Sequence, residues 1–293
     1  MSAASPTSQH TSSIVGALWM LGAVCSFTTL TLSGRELSGE MNAFQIMLYR
    51  SGISLIIIIA ILARGGVGET GFGQLRTSIP LVHLGRSLVH YAGQYSFFFV
   101  LPLLPLVQIT TLEFSFPIWT ILLAAVFLNE RLTHHRIAAV LFGFAGIVVV
   151  MRPGVMEVEL ASLIMLGAAF CYATAFVITK WMTGTEKPHT ILFYMFFIQL
   201  LVGLAPALPG FVVPDPEKWP WVVAVGVAGL VAHYCVARAF MATQASAVMP
   251  LDFLRLPLIG LAGWWLYGEG VDIWLIIGAG LILFGIWINS RSR

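Results

Sequence analysis

Met20-Leu21-Gly22-Ala23, in the first long apolar stretch of the chain, recurs as Met165-Leu166-Gly167-Ala168 in the sixth. Further matches follow in the same order: His90-Tyr91 with His233-Tyr234, Leu112-Glu113-Phe114 with Leu251-Asp252-Phe253, Glu130 with Glu269, and Gly146 with Gly285. An ordered series of this kind indicates an internal repeat, although a biased composition in an all-helical protein is the alternative explanation. The repeat predicts two halves, residues 1–155 and residues 156–293.

The composition places most of the chain in a membrane. Of its 293 residues, 58% are hydrophobic and only 10% are charged, and the mean hydropathy is +0.91. A soluble domain carries roughly 25% charged residues because water must wet its surface. Lipid is therefore expected to cover most of this chain, which excludes a cytosolic enzyme, a secreted module and a disordered protein.

Ten apolar stretches approach the length of about 20 residues that a membrane-spanning helix needs. They are residues 14–34, 43–63, 79–101, 106–128, 137–151, 160–183, 189–209, 219–240, 247–266 and 272–289. The predicted fold is all-α: a polytopic membrane protein of ten transmembrane helices, arranged as two inverted five-helix repeats around a central cavity. Because each half has an odd number of spans, the second half enters the membrane upside down, as in many secondary transporters.

The distribution of Lys and Arg between the connecting segments predicts the orientation. More of these cationic residues lie inside when both termini are cytoplasmic, so a multi-pass protein of the inner or plasma membrane with that orientation is expected. No Lys or Arg precedes residue 14, so the first stretch is expected to remain as a span and not to be cleaved as a signal peptide.

Charge and motifs also limit the partners. The formal net charge is only +2 and no Lys/Arg run is present, so nucleic acid is not expected as a partner. The three cysteines, Cys25, Cys171 and Cys235, lie in apolar stretches without metal-ligand spacing, so neither a metal site nor a disulfide is expected. No cofactor, enzymatic activity or P-loop nucleotide motor is predicted. The expected partners are a small-molecule substrate and the lipid bilayer, while the oligomeric state stays open.

The most specific pattern lies between residues 117 and 154. Its parts are Pro117-Ile118-Trp119-Thr120, Leu128-Asn129-Glu130-Arg131-Leu132, Gly143-Phe144-Ala145-Gly146 and Arg152-Pro153-Gly154. This pattern resembles the EamA repeat of the drug/metabolite transporter superfamily, and the resemblance covers essentially the whole chain. In size and layout the chain is similar to the YddG-type amino-acid exporters of that superfamily. The second half departs from the pattern, because it has extra charges in its ninth stretch and no Arg-Pro-Gly at its end.

The resemblance implies ATP-independent movement of a small metabolite, most often outward. Amino acids, including aromatic and apolar ones, are the favoured substrates, exported by alternating access. Another metabolite, such as a nucleobase, a cofactor or a drug, is the alternative. Whether transport is coupled to protons or is passive stays open.

Polar side chains within the apolar stretches are the candidate site residues, because they are costly in lipid. In the third stretch, His83, Arg86, His90 and Gln94 recur every three or four residues, so one helical face is polar. This face either lines a transport pathway or holds the bundle together by interhelical hydrogen bonds. The predicted substrate-binding residues are Arg86, His90, Tyr91, Gln94, Trp119, Tyr172, His233, Tyr234 and Arg238.

His90 and His233 are the most specific pair among these residues. Imidazole forms hydrogen bonds and titrates near pH 6.5, so the pair is a candidate substrate contact or proton-linked switch. Two alternatives are a pair of satisfied buried histidines and, less in keeping with the repeat, the axial ligands of a haem.

Four charged residues, Arg50, Glu113, Asp252 and Arg255, are predicted to form ion pairs or gates. Counted from the span starts, Arg50 and Glu113 lie on the extracellular side, with Asp252 and Arg255 on the cytoplasmic side. The expected pairs are Glu113 with Arg50 and Asp252 with Arg255, and Arg86 or Arg238 then remains to meet a substrate carboxylate. Two residues, Pro117 and Pro257, are predicted as helix hinges.

Overall fold

The computed structural model describes residues 6–65, 71–127, 133–152, 159–182, 184–242, 249–270 and 272–290. The α-helices in these ranges are α1 (Pro6–Leu37), α2 (Ala43–Ala63), α3 (Pro80–Val100), α4 (Leu106–Glu113), α5 (Phe116–Phe127), α6 (His134–Met151), α7 (Leu160–Met182), α8 (Pro188–Ala207), α9 (Trp219–Ala242), α10 (Arg255–Tyr267) and α11 (Ile273–Ser290). Short 3₁₀ helices cover Gly71–Leu75, Pro216–Lys218 and Met249–Leu254, and no strand occurs in the described ranges. The prediction of an all-helical protein is confirmed.

Six helical stretches of the described chain are long and apolar enough to cross a membrane. They are Ile14–Leu37, Ala43–Ala63, Leu106–Phe127, Leu160–Met182, Pro188–Ala207 and Pro216–Ala239. Two shorter apolar helices cover Ile137–Met151 and Ile273–Ile288. The polar residues along α3 lower its hydropathy. The predicted number of ten spans stays a prediction, and the start of the ninth, residues 247–248, lies outside the described ranges.

Contacts at one end of the bundle give the relative directions of the first helices. Arg35, in the last turn of α1, donates hydrogen bonds to the carbonyl oxygens of Leu101 and Leu104, just after α3. Helices α1 and α3 therefore finish at the same end, which is called the Arg35 end below.

Helices of the second half begin where those of the first half finish. Lys218, directly before α9, contacts the Glu36 carboxylate at 3.1 Å. Gln108, in the first turn of α4, donates to the Ser162 hydroxyl in the first turn of α7 at 3.1 Å. Helices α7 and α9 thus start at the Arg35 end and run opposite to α1 and α3, as inverted repeats require.

The helix pairs follow the same symmetry. Helix α1 packs along α9 and α3 packs along α7, while α2 pairs with α8 and α6 with α11. If α1 corresponds to α7 and α3 to α9, the first two pairs are equivalent. Equivalent contacts at both places are what two similar halves related by a twofold axis produce.

Glycines allow α6 and α11 to approach closely. A Cβ atom at Gly278 would lie 2.8 Å from the Gly146 carbonyl oxygen, and one at Gly146 would lie 2.6 Å from the Gly278 carbonyl oxygen. Small residues are the usual means of close helix contact in membranes. These glycines therefore pack within the chain.

We expect Gly278→Ala to lower the free energy of unfolding by about 1–3 kcal/mol, because the added methyl group meets backbone that has little room to move. Gly280→Ala, on the same helix, is the control, since a Cβ there meets nothing within 4 Å. Both variants gain the same helix propensity. Thermal unfolding in detergent measures the difference, and equal stabilities would show that the close packing is wrong.

Both predicted hinge prolines follow a break in a helix. Helix α4 ends at Glu113 and α5 starts at Phe116, so Pro117 lies in the first turn of α5. The 3₁₀ helix Met249–Leu254 precedes α10, so Pro257 lies in the first turn of α10. Proline is tolerated in a first turn because the missing N–H has no helical partner there. Broken helices of this kind border the substrate sites of many transporters.

Candidate functional site

Polar side chains from both halves meet in the middle of the bundle. The Gln199 amide on α8 lies 2.8 Å from the His90 Nδ1 atom on α3. The Oε1 atom of the same Gln199 side chain accepts a hydrogen bond from Arg50 on α2 at 3.3 Å. The His90 ring lies 5.1 Å from the His233 ring and 5.7 Å from the Tyr172 ring, measured between centroids. This group, called the central cluster below, consists of Arg50, His90, Tyr172, Gln199 and His233.

Arg50 is the most exceptional member of the central cluster. It is 0% exposed, and its Nε and Nη2 atoms have no hydrogen-bond partner among the described residues. Its guanidinium lies over the Phe196 ring, 5.1 Å from the centroid. In the described chain its only hydrogen bond is the one to Gln199, so the charge is buried without a carboxylate beside it.

The two histidines meet edge to face. Their ring planes are inclined by 69°, and the His233 ring also contacts Phe27 on α1, at 5.5 Å between centroids. Bis-histidine ligation needs a porphyrin plane between the two rings. Rings in direct contact leave no space for that plane, so the geometry does not favour the haem alternative. His90 is buried and bonded to Gln199, whereas the Nε2 atom of His233 has no hydrogen-bond partner among the described residues.

The charged residues at the two helix breaks form a triad. Arg255 contacts the Glu113 carboxylate at 3.2 Å and the Asp252 carboxylate at 3.3 Å. The Arg255 guanidinium also lies 5.1 Å from the centroids of the Phe27 and Phe114 rings. The triad connects the break between α4 and α5 to the 3₁₀ helix before α10.

Two of the sequence-based expectations for these charges are wrong. Glu113 pairs with Arg255 and not with Arg50, which turns to Gln199. The charges also do not lie in separate layers on opposite sides of the bundle, because Glu113 and Asp252 share one guanidinium. The expected pair of Asp252 with Arg255 is present. Because Arg255 pairs with both embedded carboxylates, the other embedded arginines have none of these carboxylates as a partner.

Arg238 and Tyr234 belong to a second cluster beside the first. Arg238 donates to the Tyr234 hydroxyl at 3.2 Å and lies over the Trp19 ring at 5.1 Å. The Tyr234 ring contacts Trp19 at 5.9 Å and His189 at 5.5 Å. The Arg238 side chain therefore has an aromatic and a hydroxyl partner.

Arg86 lies beside a cavity at the end of the bundle opposite the Arg35 end. Its Nε donates to the Thr179 hydroxyl at 2.9 Å, and the arginine is 6% exposed. The cavity has a volume of about 450 Å³ and lies between α3, α5 and α7. Its lining residues are Val82, Gly85, Arg86, Val89, Leu123, Phe127, Thr174, Val177, Ile178 and Trp181. On α3 its lining includes Val89, the residue before His90, and no member of the central cluster lines it.

The remaining predicted residues lie apart from the central contacts. Trp119 packs edge to face against Phe144 at 5.5 Å and Phe170 at 5.7 Å. Tyr91 is buried and faces Gly203, where a Cβ would lie 2.9 Å from its hydroxyl oxygen. Gln94 is buried, and its Oε1 atom has no partner among the described residues. The structure thus places Trp119 in a separate aromatic cluster.

Ion pairs join the two halves at the Arg35 end. Arg35 contacts Glu269 at 2.9 Å, and the second Glu269 oxygen accepts the Leu106 backbone N–H at 2.7 Å. Glu36 accepts a hydrogen bond from the Tyr267 hydroxyl at 3.0 Å, besides its contact with Lys218. Glu269 therefore anchors the start of α4. Glu130, its counterpart in the repeat, lies outside the described residues.

Sequence reasoning missed Gln199, which connects Arg50 to His90. A signal was present, since Gln199 is a single amide near the middle of the apolar stretch 189–209. Gly229 was missed as well. A Cβ at this position would lie 2.6 Å from the Arg50 Nε atom, so the glycine makes room for the guanidinium.

Comparison with known families agrees with this architecture. The sequence pattern of the EamA-like transporter family matches this chain twice, at residues 14–152 and at residues 159–291. The chain belongs to the EamA-like transporter family. This EamA-like transporter is therefore a multi-pass plasma-membrane protein of the drug/metabolite transporter superfamily, with a small molecule as its substrate.

Individual relatives extend over nearly the whole EamA-like chain. A riboflavin transporter of Rhizobium johnstonii is 31% identical over 96% of this chain and 92% of its own length. An S-adenosylmethionine uptake transporter of Rickettsia prowazekii is 25% identical over 94% of each chain. A solved crystal structure superimposes with a TM-score of 0.68 over 94% of this chain and 96% of the other, at 20% identity, which shows a shared fold.

Proposed function

We propose that this EamA-like transporter is an ATP-independent carrier of a riboflavin-like metabolite and that the central cluster is its substrate site. The observation that carries the proposal is the contact between His90 and His233, which brings equivalent residues of the two halves together at 5.1 Å. A buried polar site shared by two inverted repeats is where secondary transporters bind substrate. The relative from Rhizobium johnstonii, named a riboflavin transporter, supports the choice of substrate.

The distribution of contacts along the bundle supports the proposal of alternating access. The halves, residues 1–155 and 156–293, are joined at the Arg35 end by the Arg35–Glu269 and Glu36–Lys218 pairs. At the opposite end a cavity lies between α3 and α5 of the first half and α7 of the second, with Arg86 in its lining. Breaking the ion pairs while closing this space between the halves would expose the central cluster to the other side. Ten spans with both termini in the cytoplasm complete the proposed topology.

The chemistry of the central cluster suits a planar ring with polar edges. His90, His233 and Tyr172 offer aromatic surfaces, while Gln199 and Arg50 offer hydrogen bonds. Aromatic amino-acid export, the expectation from the layout of the sequence, uses the same kind of surface. None of the relatives named above is an amino-acid exporter, so the cofactor-type substrate is the better supported of the two.

Counterflow in liposomes tests the substrate and the independence from ATP. Purified protein is reconstituted without nucleotide in liposomes loaded with unlabelled riboflavin, and labelled riboflavin is added outside. We expect transient accumulation of label above that in protein-free liposomes. Accumulation of labelled phenylalanine in phenylalanine-loaded liposomes, with none of riboflavin, would replace riboflavin by the amino-acid substrate. Absence of counterflow without ATP would contradict the carrier mechanism.

A further inference from the structure

The unpaired edge of the Arg50 guanidinium has the form of a binding fork. Its Nη1 atom donates to Gln199, while Nε and Nη2 have no partner among the described residues. Nε–H and Nη2–H point in nearly the same direction and match two acceptor atoms of a planar group. The free donors are therefore the pair that binds carboxylate or carbonyl groups most specifically.

The free edge lies against Gly229 on α9. A Cβ there would lie 2.6 Å from Nε and 3.3 Å from Nη2, so both free donors adjoin the position where any other residue would have a side chain. Phe196 covers one face of the guanidinium. The fork is thus covered by α8 and α9 of the second half in this conformation, and acceptor atoms would reach its free edge as α2 and α9 separate.

Such an arrangement is costly unless a ligand completes it. A fully buried charge without its hydrogen bonds is strongly destabilising, and the cost falls when acceptors meet it. Arg255 has two carboxylate partners. Arg238 has a hydroxyl and an aromatic partner and is partly exposed. Arg86 has one hydroxyl partner and an unpartnered Nη1 atom, but it lines a cavity and is 6% exposed, whereas Arg50 is 0% exposed.

We infer that Arg50 is the specificity-determining residue of the site: its Nε–Nη2 edge binds a pair of acceptor atoms on a planar, neutral or anionic part of the substrate. The inference rests on the proposed function only in placing the substrate at the central cluster. A neutral isoalloxazine ring offers a carbonyl oxygen beside a ring nitrogen, which fits the fork. A substrate with net positive charge is disfavoured, because a second buried positive charge would lie near Arg50.

Binding to the purified full-length protein tests this inference with three probes: riboflavin, phenylalanine and S-adenosylmethionine. Arg50→Lys keeps the charge but removes the fork, and we expect at least tenfold weaker binding of the probe that the wild type binds. Arg64→Lys, at the exposed residue just after the same helix, is the matched control and is expected to bind as the wild type does. S-adenosylmethionine, the cationic probe, is expected not to compete.

A second variant keeps the test independent of folding defects in Arg50→Lys. Gly229→Ala retains Arg50 but places a methyl group against its Nε, so binding is expected to fall at least tenfold. Gly167→Ala is the control, because a Cβ there meets nothing within 4 Å. Both glycines lie inside helices, so replacing either one by alanine raises the helix propensity by the same amount.

The outcomes separate the inference from the proposed function. Unchanged riboflavin binding in Arg50→Lys and Gly229→Ala would overturn the inference and leave the function standing. Arg50-dependent binding of phenylalanine with no binding of riboflavin would support the inference and remove the proposed substrate. Preference of the wild type for S-adenosylmethionine would overturn the inference as well.

Discussion

Replacement of Arg255 by methionine is expected to lower the free energy of unfolding by about 3–5 kcal/mol, the cost of leaving buried charges without a partner. The guanidinium is the shared partner of Glu113 and Asp252, at 3.2 and 3.3 Å. Without it, two carboxylates at two helix breaks face each other in a site closed by Phe27 and Phe114. Thermal unfolding in detergent, followed by the amount of monodisperse protein, measures the loss.

A triple variant separates the charge effect from lost packing. Combining Arg255→Met with Glu113→Gln and Asp252→Asn removes all three charges, and we expect most of the stability to return. Replacing a complete buried ion-pair network by neutral groups is often tolerated, whereas removing one partner is not. If Arg255→Met is as stable as the wild type, or if the triple variant is no better than the single one, the triad does not stabilise the protein as described.

Gln199→Leu is expected to destabilise the protein by about 1.5–3 kcal/mol, the range for losing a hydrogen bond to a charged buried group. Its amide is the only hydrogen-bond partner of Arg50 in the described residues and lies 2.8 Å from His90. Leucine keeps the volume but leaves the guanidinium and the imidazole unpaired. Arg50 then loses the contact that holds it in position. Because about 1.4 kcal/mol corresponds to a factor of ten, we expect counterflow to fall about tenfold or more.

Gln94→Leu is the matched control for the stability measurement. Gln94 is also a buried glutamine, 4% exposed against 1% for Gln199, but its Oε1 atom has no partner in the described chain. Removing an amide whose buried oxygen has no partner costs little, so a change of less than about 1 kcal/mol is expected. Equal losses in the two variants would mean that the bridge from Arg50 to His90 adds nothing to stability.

The sequence predicted much of the architecture because the repeat and the apolar stretches are long-range regularities. The match of His90-Tyr91 with His233-Tyr234 led to the expectation of a histidine pair, and the two rings are in contact. The positions of Pro117 and Pro257 led to the expectation of hinges, and a helix break precedes each proline. Such features depend on spacing along the chain, which the sequence contains directly.

The pairing of the charges was harder to predict because it depends on tertiary packing. Counting residues gives a depth along a helix axis, but Met249–Leu254 is a 3₁₀ helix, which rises about 2.0 Å per residue instead of 1.5 Å. Arg255 therefore lies deeper than an α-helical count suggests, and its long side chain reaches Glu113. Glu113, the expected partner of Arg50, therefore pairs with Arg255 instead.

Lateral neighbours are the other feature that the sequence does not determine. Trp119 has a mid-span position two residues after Pro117, yet it faces Phe144 and Phe170 instead of the histidines. Gly229 resembles other glycines of apolar helices, and only the packing of α2 against α9 shows that it adjoins Arg50. The face of a helix that meets a given neighbour depends on its rotation, which a uniformly apolar pattern does not determine.

Labelling at position 233 from each side of the membrane tests most directly whether the central site is opened alternately. In a chain with Cys25→Ser, Cys171→Ala and Cys235→Ala, the single substitution His233→Cys is exposed to a membrane-impermeant thiol reagent in whole cells and in inverted vesicles. We expect labelling from both sides, slowed by substrate. Ala232→Cys, at a fully buried neighbouring position, is expected to stay unlabelled. Labelling of His233→Cys from one side only, or from neither, would contradict a shared site between two inverted halves.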